Sequence, residues 1–522
     1  MKSNSKILTL TLALVCNLSF SQVYNVASQT KINDSNGNFN AVLESEDWFG
    51  YTVEGIGDLN NDGVPDLAVS SLKDNQGALN AGSVYILFLD STGSVGNYTK
   101  IGNNSGGFSG VLEEWDIFGA SISYLGDLDG DGKTEIAVGA EYDGDGGYRH
   151  GAIWILSLNN DGTVYSHQKI SSVEGSFGGS LDVWDVFGTD IESLGDLNGD
   201  GHTDIAVAAR RDGDGGLEKG AVWILFLNAD FTVNNYQKIS STSGGFTGTL
   251  DIEDSFGGSV CNIGDLNNDG VIDLAVGAYR DDDGGFNKGA VYILFLNSDG
   301  TVSSHQKISE TVGGFTDTLS QFSHFGKSIA NVMDINEDGK KEILVGSSGY
   351  VNGTNENAGS FYIINLNQDG TVDSFEKYAT NLNGFNENLS EDNYFGFSVS
   401  SVGNLGGQLS LVVGAYGDSE NGFQKGAVWV LKLVRVLSVM DIENKDDFKL
   451  FPNPTNTFFS IKTNSQDGFK INIFDVNGRL IKEMDKKNEN VYDISSLSDG
   501  TYFIQLTMNT SNSISTFRLL KK

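Results

Sequence analysis

The chain has 522 residues, with 67 glycines, 3 prolines, 11% aromatics and a formal net charge of −36. That charge excludes nucleic acid and an anionic membrane as partners, and favours bound cations or a solvated surface. A chain of this length, rich in glycine and aromatics and without long helical periodicity, fits short strands joined by tight turns.

Residues 1–21 read as a secretory signal peptide. Lys2 and Lys6 precede an apolar run from Ile7 to Val15, and Ser19-Phe20-Ser21 places small side chains before Gln22. The run is too short to span a bilayer. A lipoprotein leader ending at Cys16 fits less well, because Val15 stands where a small residue is needed. After cleavage only Cys261 remains, so the mature chain is expected to lack an intrachain disulfide and a transmembrane helix.

From residue 22 to 434 the chain repeats. Phe-Gly pairs begin at Phe49, Phe118, Phe187, Phe256, Phe325 and Phe395, with four intervals of 69 residues and a last one of 70. Each unit predicts four strands: one after Phe-Gly, one such as "DLAVGA", one such as "GAVYILFL", and one carrying Lys-Ile. Four short strands per unit describe a propeller blade. Lys31 precedes the first complete unit, while the unit at Phe395 ends without a Lys-Ile strand. The N-terminal strand is therefore expected to complete the last of six blades, leaving no open edge. The Phe-Gly pair, the "GDLNGDG" loop and the "AVGA" strand resemble the FG-GAP repeats of the integrin α-subunit propeller. That family usually closes with seven blades, which stands as the alternative to six.

Between the first and second strands lies an acidic loop with oxygen side chains at positions 1, 3, 5 and 9, glycine at 6, and a backbone carbonyl available at 7. The five sets are Asp58, Asn60, Asp62, Val64, Asp66; Asp127, Asp129, Asp131, Lys133, Glu135; Asp196, Asn198, Asp200, His202, Asp204; Asp265, Asn267, Asp269, Val271, Asp273; and Asp334, Asn336, Asp338, Lys340, Glu342. Hard oxygens converging around a glycine turn suit Ca²⁺, giving about five structural sites. An EF-hand would need a bidentate Glu at position 12, where this chain has Val69, Val138, Val207, Val276 and Val345. The resemblance to the integrin propeller likewise implies a calcium-binding β-hairpin. The sixth unit, "GNLGGQLSLVVGA", lacks carboxylates and should bind no metal.

The loops between second and third strands fall on the opposite face. They collect Asp143, Asp145, Asp212, Asp214 and Asp281–Asp283, interleaved with Arg149, Arg211 and Arg280. Trp48, Trp115, Trp184, Phe322 and Tyr394 precede the Phe-Gly pairs on the same face. Aromatics beside carboxylates point to a protein or glycan ligand there, with repeated packing between blades as the competing role. The five histidines form no catalytic constellation, and no carboxylate pair stands out from the periodic background. The reading is therefore a secreted or surface-attached binding or adhesion protein and not an enzyme, the alternative being a surface glycan-active enzyme.

Residues 435–445 read as a linker, and 446–522 as a small β-sandwich holding ten basic and nine acidic residues. Strand-like runs occur at "FFSIKT", "KINIFDVNGRLI" and "TYFIQL", with Asn477-Gly478 as a hairpin turn. "PNP", "DVNGR", "DISSLSDGTYFIQL" and the basic end "LLKK" resemble the type A C-terminal sorting domain of the type IX secretion system in Bacteroidetes. That resemblance implies an encounter with the secretion machinery, export across the outer membrane, release or surface attachment, and removal of the module.

Overall fold

A computed structural model describes residues 22–335, 338–437, 448–463, 469–475, 479–485, 491–508 and 514–522. The leader 1–21, most of the linker, Asn336 and the Asn477-Gly478 turn lie outside the described residues. The described part is all-β, and the chain divides into two compact units: Tyr24–Val434, and a second that includes Arg435–Lys522.

The larger unit contains six four-stranded antiparallel sheets, so the ring has six blades among the described residues. The third blade shows the pattern. Its strands are Phe187–Gly195, Asp204–Ala209, Ala221–Leu227 and Val233–Ser240, paired in that order. The second and third strands are buried at every position, which is why they read as continuous apolar runs and not as alternating ones. Side chains pointing to both faces meet a neighbouring blade. One apolar cluster, for example, joins Ile155 and Ile170 of the second blade to Ile205, Val207 and Trp223 of the third.

The Phe-Gly pair is where adjacent blades touch. Phe187 stacks on Phe177 of the preceding connection at 5.1 Å, and Phe177 meets Trp223 edge-on at 5.2 Å. The same stack recurs from Phe39–Phe49 at 4.9 Å to Phe385–Phe395 at 4.7 Å. Gly188 has φ +89°, and a Cβ there would stand 2.5 Å from the Ala152 carbonyl oxygen of the second blade. Only glycine lets the two backbones approach so closely.

The last blade closes as the register predicts. Gln22–Ile32 pairs with Ala427–Leu437, beside Gln408–Ala415 and Ser398–Leu405. Lys31 then clamps the joint, its Nζ 2.8 Å from Asp418 Oδ2 and 2.6 Å from Glu420 Oε2. No sheet edge is left open between first and last blades.

The smaller unit holds two sheets. Phe448–Phe451, Phe458–Thr463 and Val491–Asp493 form one; Leu480–Asp485, Phe469–Phe474, Gly500–Met508 and Ile514–Lys521 form the other. Phe459, Ile471, Ile473, Tyr492, Ile504 and Leu519 fill the core between them, a sandwich with its own apolar centre.

Candidate metal hairpins and the opposite face

Each acidic hairpin is built on the same hydrogen bonds. The position-9 carboxylate is buried and accepts the backbone N–H that follows position 1: Leu59 to Asp66 at 3.0 Å, Leu128 to Glu135 at 2.8 Å, Leu197 to Asp204 at 2.9 Å, Leu266 to Asp273 at 2.9 Å, and Ile335 to Glu342 at 3.0 Å. The position-1 carboxylate accepts the glycine N–H at position 6, as Gly63 donates to Asp58 at 2.8 Å and Gly201 to Asp196 at 2.9 Å. The loop is thereby wound around its acids.

The donor set fits a hard divalent cation. Carboxylate oxygens of Asp127, Asp129 and Glu135 lie within 4.8 Å of one another, and so do those of Asp334, Asp338 and Glu342. In the first, third and fourth loops the position-3 amide bridges to position 5: Asn60 to Asp62 at 3.0 Å, Asn198 to Asp200 at 2.9 Å, Asn267 to Asp269 at 2.8 Å. The amide oxygen of the same residue accepts the position-5 backbone N–H at 2.8 Å in each. Val64, Lys133, His202, Val271 and Lys340 follow the glycine turn and would offer carbonyls. Burial pushes Asp66, Asp204 and Asp273 up to about 6, a desolvation cost that a bound cation offsets. Bound calcium would supply charge neutralisation and a cross-link between first and second strands. The loops themselves hold the ligand oxygens in register.

On the opposite face the acids meet lysines. Lys169 Nζ lies 2.7 Å from Asp143 Oδ2 and 2.6 Å from Asp145 Oδ2. Lys238 takes Asp212 and Asp214 at 2.7 and 2.8 Å, and Lys307 takes Asp281 and Asp283 at the same distances. Of the acids collected on this face, all but Asp282 are therefore bound to the lysines of the fourth strands, and Asp282 accepts the Asn287 N–H at 2.7 Å. Beneath each group a further buried aspartate presses close. Desolvation and the neighbouring acid push Asp116, Asp185 and Asp254 up to about 7.

The aromatics of this face carry cations on their rings. Lys73 Nζ lies 3.4 Å from the Trp48 centroid, and Arg149 Cζ lies 3.9 Å from Tyr142 and 4.3 Å from Trp184. Around the propeller axis the repeat breaks. Arg210 pairs with Glu141 at 3.0 Å, and Thr189 donates to the same carboxylate at 2.8 Å. Lys327 lies 4.3 Å from the Phe397 ring and 5.4 Å from Tyr279. This axial group escaped the sequence reading. Its signal was available, because the residue two after each Phe of the Phe-Gly series runs Tyr51, Ala120, Thr189, Gly258, Lys327, Phe397 without repeating.

A six-bladed ring with acidic hairpins, followed by a small sandwich, defines a repeat-built β-propeller protein with a separate C-terminal module. The chain carries FG-GAP repeats, matched at residues 118–156, 187–225 and 256–294, and a secretion system C-terminal sorting domain, matched at 449–519. It is similar to human integrin alpha-11, 30% identical over 38% of this chain and 15% of that one, and to integrin alpha-3 of Cricetulus griseus, 32% identical over 38% and 17%. The chain thus spans about a sixth of the length of these relatives. A phosphatidylinositol-glycan-specific phospholipase D of Dictyostelium discoideum is 23% identical over 66% of this chain and 34% of that protein. Among solved structures, PorZ, an essential bacterial surface component of the type-IX secretion system of Porphyromonas gingivalis, is 14% identical with a TM-score of 0.39, covering 90% of this chain and 59% of that one. The sorting tail marks the protein for export to the cell surface or for release, and no helix among the described residues is long and apolar enough to cross a membrane.

Proposed function

We propose that the chain is an exported, calcium-stabilised propeller that binds a macromolecular ligand on the face opposite its acidic hairpins, and that it is not an enzyme. The observation that carries this reading is the contrast between the faces. On one, every candidate ligand set belongs to a single hairpin and serves the fold. On the other, apolar side chains stand in solvent on a rigid scaffold, among them Trp115 at 42% exposure and Phe322 at 46%. Residues 1–21 and the C-terminal module act in export and are removed from the mature protein.

Two features argue against catalysis. The axial acid Glu141 is closed by Arg210 and Thr189. The channel carboxyls Glu54, Asp190 and Glu192 line a cavity of about 170 Å³, smaller than the usual small-molecule site. Adherence of the purified protein to intact cells tests the reading. Replacing both Trp115 and Phe322 by alanine should abolish adherence, while Tyr165→Ala, exposed at the hairpin end of its blade, should preserve it. Equal adherence by both folded variants would remove the ligand from this face.

A further inference from the structure

In a chain with 69 acidic and 33 basic residues, a cation near the surface normally finds a carboxylate, as the fourth-strand lysines do. Lys73, Arg149 and Lys327 do not. None makes an ion pair or a side-chain hydrogen bond among the described residues; each is held over aromatic rings instead. Nearby, Arg211 and Arg280 share one carboxylate, Glu218, at 3.1 and 3.5 Å. Of the acids beside them, Glu141 is spent on Arg210, while Glu46 lies near Lys73 and Asp190 near Lys327 without an ion pair to either. Burial and the neighbouring Arg210 hold the Lys327 ammonium below its ordinary pKa, and the surrounding cations pull the Tyr279 hydroxyl down. At the centre of this face the cations Lys73, Arg149, Arg210, Arg211, Arg280 and Lys327 outnumber the acids Glu46, Glu141, Asp190 and Glu218, although the protein as a whole is strongly acidic.

Around that centre stands an apolar rim. Leu79, Tyr148, Leu217, Phe286 and Phe423 occupy corresponding places in five loops and are about half exposed or more. Each of the first four also anchors the next blade through its carbonyl, as Phe322 N–H donates to the Phe286 oxygen at 3.0 Å. The rim is therefore fixed and does not fold away. Its aliphatic members offer nothing to a sugar ring. Two of the three tryptophans of this face already bear cations: Lys73 covers Trp48, while Arg149 and Arg211 lie 4.3 and 4.9 Å from Trp184.

We propose that this face takes an acidic polypeptide segment, with carboxylates seated on Lys327, Arg149 and Lys73 and apolar side chains on the rim of Leu79, Leu217, Phe286 and Phe423. The inference rests on the ligand-binding reading above and adds the chemistry of the ligand. Charge complementarity sets the specificity and the buried rim contacts supply the affinity.

The test uses the full chain in calcium and a fluorescein-labelled oligoglutamate peptide flanked by leucines, followed by fluorescence anisotropy. Saturable binding that weakens with added salt is expected. Lys327→Met and Arg149→Gln should each weaken it by about tenfold, near the effect of losing one charge-assisted contact. Arg435→Gln, the same charge change outside the propeller unit, should leave binding unchanged. Arg149 is the safer probe, since Lys327 is enclosed by rings; a variant that melts like the parent counts as folded. Binding unaffected in both face variants overturns the proposal. So does a folded protein that ignores the peptide, or one that takes an alginate oligomer in its place. Cells still bound by a protein that ignores the peptide would overturn the peptide chemistry alone, whereas loss of both would overturn the ligand-binding reading as well.

Discussion

The two ends of the second, third and fourth blades carry nearly the same acidic text and meet it in different ways. At the hairpin between first and second strands, Asp196, Asp200 and Asp204 are tied, among the described residues, to backbone N–H groups and to Asn198. At the other end, Asp212 and Asp214 close on Lys238. Density of acid in a loop is thus a poor sign of a metal site. What decides is whether the fold delivers a cation of its own, and a lysine standing 26 residues after the first aspartate does so in four blades, as Lys100 does for Asp74.

Calcium removal should break the symmetry most. A saturated loop contributes about 2.7 kcal/mol when free calcium is a hundredfold above its dissociation constant. Five loops together should therefore lower the propeller's melting temperature by about 15 °C on chelation. Calorimetry with and without excess chelator reads this directly, and an unchanged midpoint would leave the hairpins without their metal.

The lysine end should respond to a single substitution. Lys238→Met keeps the stem but leaves Asp212, which is 1% exposed, without its counter-charge. Breaking a buried pair from one side costs about 3–5 kcal/mol. That loss should appear with calcium or with chelator. Asp200→Ala should instead cost stability only in calcium, so the two variants melted under both conditions form a crossed design. If Lys238→Met were harmless, the lysines would be ornament on the surface and the comparison would fail.

Much of this was legible beforehand because it is periodic. The Phe-Gly spacing gave the blade boundaries, and the phase of Lys31 gave the closure. The acids of each hairpin were readable because one short segment carries them all. The lysine-to-aspartate lock was equally periodic, yet its acids were assigned to a ligand, since composition shows a charge without its partner. The axial cluster was hidden for a different reason. Lys327 meets Phe397 and Tyr279 only once the ring is closed, and each stands where the repeat departs from itself. Departures carry no spacing to read, so tertiary closure had to reveal them.

The smallest expected effect tests how finely the lysine end is balanced. Asp185 is buried beside Asp212, and its side chain accepts the Asp182 N–H at 2.7 Å. Desolvation first, then the charge of Asp212, raise its carboxyl to about 7, with Lys238 pulling the other way. A carboxyl raised above its unfolded value adds stability while protonated, fully below the unfolded pKa, and that contribution is lost as pH climbs through about 7. The parent should therefore lose stability between pH 5 and pH 8 at this site, by on the order of 1–2 kcal/mol. Asp185→Asn keeps an oxygen for the Asp182 N–H and cannot ionise. The sixth blade already places Asn393 at the corresponding position, where it donates to Asp418 at 3.0 Å. The variant should match the parent near pH 5 and exceed it near pH 8, measured by urea unfolding in saturating calcium so that the hairpins stay loaded. Parallel pH curves for the two proteins would mean that Asp185 is ionised throughout, with Lys238 neutralising all three acids of its blade.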